Sequence, residues 1–177
     1  MSARSFAPIT ETEDILRTSG VPFVLLRNGW YTENYMASVP AALAHNALLG
    51  SAGEGRIASA ARADYAAAAA AVLATDKDWS GRVFELAGDH AYTLAELAPE
   101  VAQQSGQRVD YVNLPEAEYK AALLGAGLPD GLAALLADSD AGAARGALFD
   151  DGRQLSALIG RPTTPVAASV TAALARG

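Results

Sequence analysis

The string Arg27-Asn28-Gly29-Trp30-Tyr31-Thr32-Glu33-Asn34-Tyr35 gathers the side chains best suited to bind a ligand. Asn28 and Asn34 can hydrogen-bond an amide or a carbonyl, Gly29 permits close backbone approach, and Trp30, Tyr31 and Tyr35 offer flat faces to a planar ring. Spacing alone favours a plainer reading, in which Asn28-Gly29 is a turn and the aromatics are core. Other chemistries are excluded more firmly. The chain has no cysteine, which removes disulfides, thiolate nucleophiles and cysteine metal sites. Its two histidines, His45 and His90, are far apart and fit neither H-x-x-x-H nor H-E-x-x-H, so no metal site is expected.

A dinucleotide fingerprint needs G-x-G-x-x-G directly after a strand and opening a helix, so that the pyrophosphate rests on the helix N-terminus. Two glycine-rich stretches fail that test. Gly125 to Gly131 has the wrong spacing, follows a helix and contains Pro129; Gly50 to Gly55 has the wrong spacing and no expected strand before it. A Tyr-x-x-x-Lys pair is also missing near Tyr31 and Tyr35. In Glu116-Ala-Glu-Tyr119-Lys120 the tyrosine and lysine are adjacent, on an expected helix that reads as a solvated face.

The elements that must position these groups follow from pattern. Residues 11 to 19 carry acids early and Arg17 late, before Gly20, and read as the end of a helix. Phe23 to Leu26 is a continuous apolar run of strand length, the mark of a strand buried on both faces of a parallel sheet. The ligand-capable string then lies at the carboxyl end of that strand, where open α/β sheets bind ligands. Residues 33 to 46 read as a helix kinked at Pro40, and Ile57 to Ser59 as a short strand. Asp64 is expected to cap an alanine-rich helix from Tyr65 to about Ala74. Arg82 to Leu86 is the next strand, followed by Gly88-Asp89. Thr93-Leu-Ala-Glu96 is a capping box for a helix ending near Ser105, with Gly106 after it. Arg108 to Leu114 reads as a strand, Ala117 to Leu124 as a helix, and the rest as small helices between Gly and Pro breaks. Alternating helices and strands predict an α/β fold.

Composition narrows the class further. A net charge of −7 disfavours a phosphate backbone, so no nucleic-acid partner is expected. The longest apolar run, Ala66 to Ala74, is shorter than the roughly 18 residues a membrane span requires, and Met1 to Pro8 lacks the apolar segment of a secretory leader. The cytoplasm is the expected compartment.

Several strings in one order resemble the NmrA-like, atypical short-chain dehydrogenase group, in particular its bacterial NAD(P)H:quinone oxidoreductases. They are Leu25 to Tyr35, Gly55 to Ala67, Phe84 to Asp89, Gly127 to Leu132, Leu148 to Asp151 and Leu158 to Thr164, within a likeness covering about Glu11 to Ser169. The resemblance implies the C-terminal part of a Rossmann-type fold, with the first βαβ units missing. On that reading about 11–90 is the end of the Rossmann sheet and about 91–177 is mostly a smaller α+β substrate lobe. It implies NADPH or NADH as cofactor and a quinone as substrate, reduced by direct hydride transfer with no need of a Tyr–Lys pair.

By the same resemblance Asn28, Gly29, Trp30, Tyr31, Thr32 and Glu33 contact the cofactor, and Tyr31 and Tyr35 stand on the substrate side. Ser59 and Arg62 should return toward the same cleft as cofactor contacts, with capping or salt-bridge roles as the alternative. The group's glycine-rich loop and ribose-reading residues would precede the first residue here. Two other readings therefore stand beside the enzyme: a non-catalytic binding or assembly module, or one half of a split enzyme completed by a separate Rossmann chain; and a redox sensor that binds dinucleotide without turnover, with a homo-oligomer as the other partner expectation.

Overall fold

The computed structural model describes the backbone of residues 3–176 and, within the first helix, the side chains from Glu11 onward; the leader reading of Met1 to Pro8 lies outside those side chains. The first helix, α1 (Ala3–Thr18), ends before Gly20, whose φ of 73° turns the chain toward β1 (Leu25–Asn28). That strand starts two residues later than the apolar run suggests. Its register is set by its parallel partner β3 (Val83–Leu86), which aligns Leu25 with Val83 and Asn28 with Leu86. Nor is β1 buried on both faces: Leu25 and Leu26 are half-buried, and Arg27 and Asn28 are exposed. No strand among the described residues covers its outer edge.

The single helix expected over 33–46 is two helices, α2 (Thr32–Met36) and α3 (Val39–His45). Pro40 sits in the first turn of α3, where its missing N–H breaks no bond. Asn46, at φ 53°, caps α3 and leads into β2 (Ala47–Gly50), a strand absent from the sequence reading. The loop Gly50 to Gly55 thus does follow a strand, though its glycine spacing still differs from a fingerprint. β2 pairs in parallel with β4 (Asp110–Asn113). Ile57 to Ser59 forms no strand; Ile57 makes one antiparallel bridge to Tyr92, and Ala60 one parallel bridge to Tyr31.

The alanine-rich helix α4 (Arg62–Leu73) begins before Asp64, which is therefore not a cap. Asp64 is fully buried in the first turn, accepting from Arg161 Nη2 at 2.7 Å and from the Thr164 backbone and hydroxyl at 2.7 and 3.2 Å. The capping box of α5 (Leu94–Ser105) is formed as expected: Thr93 Oγ1 accepts from Glu96 N, and Glu96 Oε2 from Thr93 N. Helices α6 (Glu116–Gly125) and α7 (Asp130–Ala143) make an antiparallel hairpin, and α7, at 14 residues, is longer than the small helices expected. Two short helices, α8 (Gln154–Ile159) and α9 (Val166–Leu174), complete the chain.

Two apolar cores result. Tyr65, Ala68, Phe84, Leu86 and Leu155 bury one face of the β1–β3 pair under α4 and α8. Leu48, Ile57, Leu94, Leu97, Val101 and Val170 form the other, around β2 and α5. The fold is α/β, and no described helix is long and apolar enough to cross a membrane.

Candidate functional site

Beyond β1 the chain is held by backbone bonds that leave side chains free to line a cleft. Gly29 N donates to Leu86 O at 2.8 Å, and a Cβ at Gly29 would stand 2.7 Å from that same oxygen, so only glycine lets the two strand ends close. Ala60 N donates to Trp30 O and Thr32 N to Ala60 O, clipping the string to the segment after the Gly50–Gly55 loop. Ala58 N in turn donates to Leu148 O at 2.8 Å, bringing in the loop after α7.

The cleft so framed has a volume of about 960 Å³ and runs along β1, between α1 and the loop after α7, to the carboxyl ends of β1 and β3. Its lining includes Asn28, Gly29 and Trp30 from the string after β1 and Leu148, Phe149 and Asp150 from the loop after α7. Its size suits a small organic ligand, for which pockets run roughly 300–1,000 Å³. A second cavity of about 480 Å³, between Phe23 and Trp79, lies toward the amino ends of the same strands, away from where parallel sheets bind ligands.

The remaining residues singled out in the sequence take other positions. Tyr31 packs edge-on against Tyr65 at 5.3 Å, under the Arg62 guanidinium at 5.0 Å, and its hydroxyl accepts from the Asn28 amide at 3.3 Å. The Glu33 carboxylate accepts from Arg62 N at 3.0 and 3.1 Å and so caps α4. Thr32 and Ser59 are buried in a hydroxyl chain that continues to Tyr92, at 2.8 and 2.7 Å. Tyr35 is 5% exposed, with its hydroxyl donating to Asp140 at 2.8 Å. Burial raises the phenols of Tyr35 and Tyr65 well above their ordinary range and pushes Tyr92 up to about 12, so each stays protonated and none is a base at neutral pH.

Three features of the site carried no assigned role in the sequence. Leu148 and Phe149 belonged only to a family-like string. Asp140 sits in the run Ala-Asp138-Ser-Asp140-Ala, where nothing in the pattern separates it from Asp138. Arg27 and Glu13 form a two-point ion pair at 2.7 and 2.6 Å, and Arg27 reaches Glu85 at 2.6 Å as well. Their spacing of 14 residues spans a helix and a turn and gives no local signal.

The fit to a dinucleotide can be judged from this lining. The lining offers the aromatic faces of Trp30 and Phe149 and the hydrogen-bonding amide of Asn28. A pyrophosphate does not fit: the charged groups of the cleft are Glu13, Arg27, Glu85 and Asp150, and the one cation among them is engaged by two carboxylates. Hydrogen bonding to Arg27 also holds the Glu13 carboxyl below its ordinary value, keeping it anionic.

No protein-family model matches the chain. It is 60% identical over 161 residues to quinone oxidoreductase 2 of Escherichia coli (strain K12), across 91% of the chain and 56% of that protein. The crystal structure of an NADPH-dependent quinone oxidoreductase from Escherichia coli complexed with NADPH superposes with a TM-score of 0.89 at 58% identity, across 93% of the chain and 58% of that structure. Triphenylmethane reductase of Citrobacter sp. gives a TM-score of 0.87 at 28% identity, across 94% of the chain and 57% of that structure. The chain thus spans a little over half the length of these relatives.

Proposed function

We propose, from the premise that the region spanned by this chain belongs to the NmrA-like group of atypical short-chain dehydrogenases, that it forms the nicotinamide-side and acceptor-side walls of an NADPH-dependent quinone oxidoreductase. The observation that carries this reading is the presence of Asn28, Gly29 and Trp30 together with Leu148 and Phe149 in the lining of one mostly apolar cleft. Reduced nicotinamide, when bound, supplies a hydride. The chain's own part is to orient two flat rings face to face and exclude water between them.

In this reading Asn28 holds the carboxamide, Gly29 lets the ring lie close to the backbone, and Trp30 backs it. Tyr31, Thr32, Glu33, Ser59 and Arg62 act one layer behind, fixing the string to α4, and Tyr35 supports the acceptor side from within the core. Residues of about 11–90 serve as the sheet lobe and about 91–177 mostly as the acceptor lobe, with the Arg161–Thr164 segment returning to Asp64 of the first. NADPH is preferred to NADH on the strength of the relatives, and the cytoplasm is the compartment taken.

The acceptor wall can be tested without turnover. Equilibrium titration with 2-methyl-1,4-naphthoquinone should give saturable binding that Phe149→Ala weakens about tenfold, as expected for loss of an aromatic contact and its buried area. Equal affinity in the variant would remove Phe149 from the acceptor seat.

The outer edge of β1 favours a completing partner as a second reading. Leu25 and Gly29 direct their N–H groups to β3, so alternation turns those of Leu26 and Asn28 outward, where no described strand meets them. Half-buried leucines beside an open edge are a template for another strand. A separate Rossmann chain or a second copy of this one would satisfy it.

A further inference from the structure

Outside the cleft lining, Asp140 is the side chain that connects most of the site. It lies in the last turn of α7 and is 1% exposed. Its Oδ1 accepts from the Tyr35 hydroxyl at 2.8 Å and its Oδ2 from Ser51 N at 2.9 Å. The Tyr35 ring, buried as well, packs against Trp30 with centroids 6.2 Å apart and a tilt of 57°. Trp30 is a wall of the cleft, yet its indole N–H is buried with no hydrogen-bond partner among the described residues. A buried donor left unsatisfied costs free energy that the packing around its ring has to offset. Tyr35 is one such contact.

The opposite wall leads back to the same carboxylate. Helix α7 ends at Ala143, Ala147 N folds back to Gly142 O at 3.0 Å, and Leu148 and Phe149 follow directly into the cleft. Gly55 packs on the end of this helix so closely that a Cβ there would stand 2.2 Å from Ala143 O. Wherever Asp140 holds the end of α7, the second wall begins.

We infer that Asp140 is a positioning residue for the cleft: a single carboxylate in the helical hairpin holds the Trp30 wall through Tyr35 and the Leu148–Phe149 wall through the end of α7. Its consequence for ring spacing in catalysis rests on the quinone-reductase reading. The brace itself does not.

The groups that face Asp140 are Tyr35 from α2, Tyr111 from β4 and Tyr119 from α6, with Glu54 acting on Tyr111 from the loop after β2. Burial raises all three phenols, so they stay protonated through neutral and acid pH. Burial also lifts the Asp140 carboxyl, against the opposing hydrogen bonds from Ser51 and Tyr35. As an anion it makes two charge-assisted bonds; as a neutral acid it holds the same partners more weakly.

The chain has two tryptophans, so a Trp79→Phe background leaves Trp30 as the sole reporter. In that background the emission maximum should shift as the pH falls, with a midpoint above the ordinary aspartate value of 3.8. Adding Asp140→Asn should fix the emission at its acid value across the whole range. Adding Tyr35→Phe, which removes only a hydroxyl and keeps the packed ring, should displace the emission and abolish its pH dependence, with the fold checked by far-ultraviolet circular dichroism. A titration that survives Asp140→Asn, or a Trp30 emission indifferent to Tyr35→Phe, would overturn the proposal. No cofactor or quinone is needed, so failure of the reductase reading would leave this result standing, and the reverse.

Discussion

Asp64→Ala is expected to lower the unfolding free energy by about 3 kcal/mol, the range for removing one partner of a buried, hydrogen-bonded charge. Asp64 ties the first turn of α4 to the Arg161–Thr164 segment, taking Arg161 Nη2 and the Thr164 backbone and hydroxyl together. The Arg161 side chain is 49% exposed and regains water when the carboxylate goes, which keeps the loss from being larger. Thr164, half-buried, is left with a backbone N–H that has lost its acceptor. Asp64→Asn, with one acceptor oxygen left, should lose about half as much. Urea unfolding with a shared m-value measures both; a loss under about 0.5 kcal/mol for the alanine variant, the range of an ordinary surface change, would mean the clamp contributes little.

Gly88→Ala should cost about 2–3 kcal/mol and loosen the cleft as well, because overpacking against backbone cannot be relieved by a side-chain rotation. A Cβ at Gly88 would stand 2.1 Å from Ser59 O and 3.0 Å from the Ser59 carbonyl carbon. The segment it would displace is the one that bonds Trp30, Thr32 and Leu148 through Ala58 and Ala60. Gly81, at the other end of the same strand, is the control. A Cβ there meets nothing within 4 Å, but its φ is 74°, so alanine should cost only the conformational penalty of about 1–2 kcal/mol and leave naphthoquinone affinity unchanged. Equal loss of affinity in both variants would detach the cleft from the Gly88 contact.

These two glycines show where sequence reading stops. Both flank β3, yet one is required by a positive φ and the other by a carbonyl two segments away. The capping box at Thr93 was legible because all its partners lie within four residues. So was the location of the string from Asn28, since an apolar run followed by polar and aromatic residues marks a strand's carboxyl end. Asp64 was misread as a cap because its partner Arg161 is 97 residues distant. β2 was missed because Ala-Leu-Leu-Gly is too short to show a period, and its pairing with β4 supplies the order its own sequence lacks. Asp140 and Asp138 differ only in which way α7 faces, which the hairpin packing decides.

On this account the described residues carry the ring-binding walls of a dinucleotide cleft whose lining holds no free cation for its phosphates. Equilibrium binding of NADPH, set against reduced nicotinamide mononucleotide, addresses that claim most directly. The account predicts affinities for this chain within about threefold of each other, since a cleft whose described lining offers no free cation gives the adenosine and pyrophosphate few contacts. NADPH binding about a hundredfold tighter than the mononucleotide, a gain of roughly 2.7 kcal/mol, would contradict it and place a phosphate site within the chain itself.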